Sequence, residues 1–326
     1  MKKKRDKCPE SALRGSGLPG SRRRRSLAGM VELDRNGRVG MAYLLELLKA
    51  LLYGALFAVT EWLPVGSEAH IMMLEGVLPF ELYPDAELNR SFLSLFVAVM
   101  RLAAAGSVFA VFYKRIWPFS KRKSEERRRS ILRIWLLTLI PAAVFLLAAV
   151  LIGTPIRAKM SSPAVLAGIT ILCGILLVLS ERYIRKPHVF ELNEMTLKET
   201  GAAGLAQILS VIPGVSRSGT AILGGRFAGM NRTSAAELMC CLAVPSLLGT
   251  GLLSLSAVKV PLTLWCIPVF LAGICGVFFM TVFAVRGLLS YLRTGGLALF
   301  GYYRVIAGLV LLILALVGAV PEGMVF

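Results

Sequence analysis

The sequence predicts an all-α, polytopic integral membrane protein, and three observations carry that prediction. Of its 326 residues, 56% are hydrophobic, against roughly 45–50% apolar residues in a soluble domain, and the mean hydropathy is +0.71. The apolar residues are gathered into runs close to the about 20 residues that span a hydrocarbon core about 30 Å thick. The basic residues fall between those runs: nine Lys/Arg in 114–133, four in 181–200 and two in 153–163. In lipid every backbone polar group must be satisfied within the protein, so runs of this length are helices rather than open sheet.

Taken in chain order, residues 1–40 stand apart. They hold twelve Lys/Arg, with Arg22 to Arg25 consecutive, four Asp/Glu and almost no apolar run, a composition that predicts disorder. The apolar core and cleavage site of a signal peptide are missing. The segment reads as a polybasic tail on anionic lipid or, more simply, as an over-extended reading frame with Met30 or Met41 as the start. Met41 directly precedes the apolar run 42–60, so a single membrane domain is expected over 41–326.

Within that domain the plainest spans are 92–112, 134–152, 164–179, 262–285 and 305–320. Two segments break the pattern. Residues 56–73 read LFAVTEWLPVGSEAHIMM, and residues 205–230 read LAQILSVIPGVSRSGTAILGGRFAGM. Ionisable groups and Pro-Gly turns at membrane depth are tolerated where they are buried in protein or line a watery cavity. Each segment therefore reads as a re-entrant helix–loop–helix hairpin, at about 42–80 and 204–230. One hairpin opens each half of the chain, as in two inverted-topology repeats, about 41–180 and about 204–322. The excess of Lys/Arg places 114–133 and 181–200 in the cytoplasm; following the spans onward puts 286–304 there too and Phe326 outside.

A net charge of +18 would suggest nucleic acid in a soluble protein. Here it reads as membrane orientation, and the basic tail has no aromatic residue on which bases could stack, so no nucleic-acid partner is expected. Six cysteines form no CxxC pair, and five lie in apolar sequence, where small packing residues are expected rather than disulfides or metal ligands.

The second hairpin carries Gly214-Val215-Ser216-Arg217-Ser218-Gly219. Glycines let successive N–H groups turn inward as an anion nest. A helix starting near Ser218 would point its positive end at the anion, and Arg217 can bind phosphate oxygens bidentately. An intramembrane Arg costs at least about 2.5–3.5 kcal/mol to insert, so a compensating partner is required: an anionic ligand, a carbonyl or a carboxylate such as Glu61. In the first hairpin Ser67 and His70 are three apart and would share a helix face, with Glu61 before the Pro64 turn. A hydroxyl, an imidazole and a carboxylate can serve as nucleophile, proton carrier and orienting or metal-binding group. The plainer alternatives are a helix cap for Ser67 and a hydrogen-bonded interior histidine for His70. Glu68 and Glu75 are expected at the aqueous edge, Arg101 as a third intramembrane charge lining the same cavity, and His188 in solvent.

TEWLPVGSEAH at 60–70 and PGVSRSGT at 213–220 resemble the two signature regions of the bacterial undecaprenyl-pyrophosphate phosphatase, or bacitracin-resistance, family. Gly204-Leu205-Ala206-Gln207, Leu242-Ala243-Val244-Pro245 and Phe300-Gly301-Tyr302-Tyr303-Arg304 are similar to further landmarks, and the resemblance covers about residues 41–320. It implies an enzyme of the bacterial plasma membrane that removes one phosphate from a C55 polyprenyl diphosphate and so recycles the carrier lipid of cell-wall synthesis. It also implies a divalent cation, Mg²⁺ or Ca²⁺, a site opening to the outer face and often a homodimer. Glu61 matches the second acid of the family's E-x-x-x-E, with a role at the metal. Ser67 and His70 match its SS-x-GH region, and Ser216, Arg217 and Ser218 its SRS. Catalysis is thus expected of Glu61, Ser67, His70 and Arg217, and substrate binding of Gly214, Ser216, Ser218, Gly219 and Thr220.

Some positions depart from the pattern. Phe57 stands where the first acid of E-x-x-x-E belongs, Gly66-Ser67 replaces the paired serines, and Ala221 follows a Thr220 that comes one place early. Arg101 occupies a position that is usually Gln in the family. The lost carboxylate keeps a second function class open, a non-hydrolytic relative that binds or translocates a polyprenyl phosphate. A soluble-type acid phosphatase is disfavoured, because no second His with a following Asp accompanies the Ser-Arg motif.

Overall fold

The computed structural model describes residues 40–119, 124–160, 162–184 and 186–320. The expected disordered extension over 1–40 therefore lies, except for Gly40, outside the described residues. Among those described there is no strand, only an isolated bridge between Val189 and Met230. The helices are α1 (Met41–Trp62), α2 (Ser67–Val77), α3 (Ala86–Ile116), α4 (Glu125–Ala148), α5 (Thr154–Lys159) and α6 (Pro163–Tyr183). They continue with α7 (Leu197–Ile208), α8 (Arg217–Phe227), α9 (Arg232–Ala257), α10 (Cys266–Tyr291) and α11 (Ala298–Leu316). Seven of them are long and apolar enough to cross a membrane, so the protein is a multi-pass membrane protein. The span Arg232–Ala257 is less plain in sequence than the others because Ser, Thr and Cys interrupt its apolar residues.

The first hairpin differs from expectation in its first arm. α1 has 22 residues and is itself long enough to span. Leu44, Leu45, Leu48, Leu51 and Leu52 are exposed along its first twelve residues, while Tyr53, Phe57, Ala58 and Trp62 beyond them are buried. Pro64 ends it: the residue before a proline is pushed to extended backbone, and Leu63 sits at φ −77°, ψ 146°. Gly66 then turns at φ 89° into α2, a region that favours glycine. The second hairpin begins at Leu197, seven residues before the expected 204, where Thr196 and Glu199 form a capping box. Its turn repeats the device, with Ile212 extended before Pro213 and Gly214 at φ 86° leading into α8.

The helices pair reciprocally. α1 packs on α10 and α7 on α4, α3 on α10 and α9 on α4, while α3 packs on α9 and α6 on α11. Exchanging α1 with α7, α3 with α9, α4 with α10 and α6 with α11 preserves these contacts, although α8 packs extensively on α9 while α2 does not pack comparably on α3. At one end of the bundle, Glu181 of α6 pairs with Arg232 of α9 and accepts the Leu297 amide ahead of α11 at 2.8 Å. At the other end, Tyr43 and Tyr83 donate to the carbonyls of Trp265 and Pro261 at 2.7 and 2.8 Å. The start of α1, the loop after α2 and the loop after α9 therefore share one side.

Close approach of α1 and α10 depends on small residues, as is common where helices pack in lipid. A Cβ on Gly54 would overlap the carbonyl of Gly273. Gly54→Val is therefore expected to destabilise by about 1–3 kcal/mol, read as a lower melting temperature in detergent. Gly106→Ala, where the added Cβ meets nothing within 4 Å, should leave it unchanged or slightly raised.

Candidate active site

The two hairpin turns meet, and polar contacts bind each to the other. The Glu68 carboxylate accepts the Gly214 N–H at 3.0 Å, and the Ser218 hydroxyl donates to the Leu63 carbonyl at 2.9 Å. Arg304, buried on α11, donates to the Gly214 carbonyl at 2.6 Å and to the Thr170 carbonyl at 3.4 Å. Beside the turns lies a cavity of about 480 Å³. Ser91, Ser94 and Arg101 of α3, Arg157 of α5, and Thr250 and Ser254 of α9 line it along with Lys259 and the turns themselves. A π-helical segment, Ala149–Gly153, extends α4 and carries the chain into α5, which delivers Arg157 to the cavity.

Glu61 is the centre of the polar constellation. Its Oε2 accepts the Ser67 hydroxyl at 2.8 Å, and its Oε1 lies 3.4 Å from Nη2 of Arg217. The Arg217 guanidinium stands 5.9 Å over the Phe145 ring, a cation–π distance, and its Nη1 is buried with no hydrogen-bond partner. The amides of Arg217 and Ser218 are the first two of α8, and such groups have no acceptor within their helix. A guanidinium donor and a helix N-terminus thus converge beside a hydroxyl held by a carboxylate, an arrangement suited to a phosphate.

The sequence-predicted residues divide. Glu61, Ser67, Gly214, Ser216 and Arg217 line the cavity. His70 does not, and it is not placed on the Ser67 hydroxyl. Its Nδ1 faces the Gly66 carbonyl at 2.7 Å, its Nε2 lies 2.8 Å from the Tyr303 hydroxyl, and its ring stacks on that tyrosine at 5.5 Å. The carbonyl requires a proton on Nδ1, so His70 tethers the first turn to α11. Ser218, Gly219 and Thr220 also stay out of the cavity lining. Ser218 bridges the turns, the Gly219 amide is spent on the Ser216 hydroxyl at 3.2 Å, and Thr220 bonds back to the Ser216 carbonyl at 3.0 Å. The Gly214 amide, expected in an anion nest, is held by Glu68. Glu75, expected at an aqueous edge, is buried and accepts from the Tyr53 hydroxyl at 2.6 Å.

The family model for bacitracin resistance protein BacA matches residues 50–310. The chain belongs to that family. It is 30% identical to the undecaprenyl-diphosphatase of Lachnoclostridium phytofermentans over 266 residues, 81% of this chain and 95% of the relative. It is 31% identical to the undecaprenyl-diphosphatase of Lactobacillus delbrueckii subsp. bulgaricus over 285 residues, 85% of this chain and all of the relative. With the undecaprenyl-diphosphatase of Streptococcus thermophilus it shares 31% identity over 280 residues, 83% of this chain and 93% of the relative.

The divalent cation implied by resemblance to this family finds a poor donor set. Glu61 and Glu68 are the carboxylates of the cavity lining, and all four of their oxygens are engaged. Glu61 holds Ser67 and Arg217; Glu68 holds Gly214 and, at 2.6 Å, Arg157. Phe57, one turn before Glu61, is packed in the core. Among the described residues no three His, Cys, Asp or Glu are grouped to hold a metal. Even Mg²⁺, which needs only one or two carboxylates together with substrate phosphates, would have to compete at each oxygen with an arginine, the Ser67 hydroxyl or the Gly214 amide. The residues present do not fit a resident cation.

Residues that sequence reasoning passed over are Arg157, which pairs with Glu68, and Arg304 as the fastener of the second turn. Arg304 was visible as a charge one residue ahead of an apolar run; Arg157 sat in a short basic connection. The geometry separates binding from bracing. Ser218→Ala should lower stability by about 1–2 kcal/mol while changing affinity for inorganic pyrophosphate less than about threefold. Arg217→Ala should weaken that affinity about tenfold or more, as loss of a charged hydrogen bond does; calorimetric titration in detergent distinguishes the two.

Proposed function

We propose that this chain hydrolyses undecaprenyl diphosphate to the monophosphate and inorganic phosphate, regenerating the lipid carrier of cell-wall synthesis. The observation that carries the reading is the Ser67–Glu61–Arg217 constellation at the edge of a cationic cavity in a membrane protein of this family. The acyclic lipid has a place beside it: Leu253 and Ala257 line the cavity and are exposed on α9, so an apolar wall runs from the cavity to the lipid-facing surface.

In the proposed reaction, Glu61 Oε2 takes the Ser67 proton as Oγ attacks the terminal phosphorus. A Ser67 Oγ–P bond forms, the bridging P–O bond breaks, and the polyprenyl monophosphate leaves with its oxygen. Water then cleaves the phosphoserine and releases phosphate. Phosphoryl transfer depends mainly on positioning and on stabilising charge. Arg217 offers its bare Nη1 to a phosphate oxygen, and the first amides of α8 add partial positive charge. His70 holds the turn that carries Ser67 and moves no proton in this scheme.

The reading places the cavity mouth at the outer face of the bacterial cell membrane. Lys259 and the early α3 residues Ser91 and Ser94 line it at the end shared with the start of α1, away from the basic connection 114–133 that the charge bias holds in the cytoplasm.

The test is phosphate release from C55 diphosphate by the purified protein in detergent. Wild type is expected to release phosphate, Arg217→Ala to lose about 10²–10³ in kcat, as removal of one preorganised donor does, and Ser67→Ala to lose release altogether. Near-wild-type turnover by Arg217→Ala would overturn the mechanism. Absence of release with intact, Arg217-dependent lipid binding would move the chain to the non-hydrolytic class.

A further inference from the structure

We propose that Arg101 and Ser254 form a second phosphate subsite, and that Arg101 supplies there the positive charge a divalent cation would otherwise bring, so that hydrolysis needs no added cation. The proposal rests on the phosphatase reading and deepens it. Arg101 lies on α3 within Val99-Met100-Arg101-Leu102, is buried, and lines the cavity. Its Nη1 donates to the Ser254 hydroxyl of α9 at 3.0 Å, and its Nε is buried with no hydrogen-bond partner.

The other two arginines of the cavity each have a carboxylate: Arg157 has Glu68 and Arg217 has Glu61. Among the described residues Arg101 has no ion pair, only a neutral hydroxyl. A charge placed within a membrane-spanning helix carries an insertion penalty that a hydroxyl does not offset, and such charges mark ligand pathways. Arg226 also has a buried Nε without a partner, but it lies outside the cavity and spends Nη1 on the Met230 carbonyl. What distinguishes Arg101 is an unspent donor together with a place in the cavity wall.

Charge balance points the same way. Arg101, Arg157, Arg217 and Lys259 face Glu61 and Glu68 across the cavity, four cationic side chains against two anionic ones. The excess of two suits a diphosphate better than a monophosphate. Arg217 sits at the hairpin turns with the nucleophile and so takes the transferred phosphate, while Arg101 and Ser254, on the α3–α9 wall, take the phosphate that stays on the lipid. A guanidinium fixed in the wall does for that group what a cation held by two carboxylates would do, and here Phe57, in the core, stands at the first acid position of the resembled pattern.

The experiment uses the full chain in detergent, stripped of metal with EDTA, and has a binding arm and a turnover arm. Titration with inorganic pyrophosphate and with inorganic phosphate is expected to show pyrophosphate binding in EDTA. Arg101→Gln should weaken pyrophosphate binding by about tenfold or more and phosphate binding by less than about threefold, and Arg101→Lys should recover part of the difference. Phosphate release from the C55 diphosphate should fall less than about twofold on adding EDTA. Release in Mg²⁺ that vanishes in EDTA, or pyrophosphate binding indifferent to Arg101→Gln, would overturn the proposal. Absence of release in both conditions would instead sink the phosphatase reading. Should Arg101→Gln fail to fold, Ser254→Ala replaces it, with an expected loss of about threefold or more in pyrophosphate affinity; an unchanged affinity overturns the subsite.

Discussion

A non-helical turn inside a membrane protein has to find partners for its own backbone, because lipid offers none. At Gly214 both backbone groups are answered by charged side chains from elsewhere: Glu68 of the first hairpin takes the N–H, and Arg304 of the last helix donates to the C=O. Hydrogen bonds with one charged partner are the stronger kind, so this small junction holds three distant parts of the chain together. The positions of Ser67, Arg217 and the cavity follow from it, since each lies within a few residues of the joined turns.

The same junction divides the arginines around the cavity by how fully their donors are used. Arg304 gives to two carbonyls and is structural. Arg157 serves Glu68, which serves Gly214, so it braces the junction from the cavity side. Arg217 and Arg101 line the cavity and each keeps one buried donor without a partner. Leaving a buried donor bare costs stability, and proteins retain such strain where a ligand will relieve it. Arg226 also keeps a bare Nε, so it is the place of Arg217 and Arg101 in the cavity lining that sets those two apart.

The spans were legible in the sequence because lipid imposes length and apolarity on them, and both hairpin turns were legible because Pro and Gly mark them. Glu61, Ser67 and Arg217 were legible as polar groups that only a cavity could justify. That α1 is long enough to span was less plain, since the run 42–60 leads straight into Glu61 and the Pro64 turn, which mark a broken helix whatever the length of its first arm. For His70 the sequence left a proton carrier beside Ser67 and a hydrogen-bonded interior histidine both open, because spacing is silent on which neighbour lies beyond a helix face; Tyr303, more than two hundred residues away, supplies the second partner. Ser218, Gly219 and Thr220 looked like phosphate ligands because capping and anion binding call on the same residue types at a helix start.

The two turns show how that ambiguity resolves. The first reads Pro64-Val65-Gly66-Ser67, the second Pro213-Gly214-Val215-Ser216, with Gly and Val exchanged. In the second, the early glycine turns the chain before the helix starts, and Ser216 becomes the N-cap with its hydroxyl on the Gly219 amide. In the first, the later glycine is itself the N-cap and has no side chain to cap with, so Ser67 enters as the first helical residue with its hydroxyl free to reach Glu61. One transposition of two residues thus makes a serine the helix cap in one hairpin and leaves a serine on a cavity-lining carboxylate in the other, which is why the proposed nucleophile lies in the first turn.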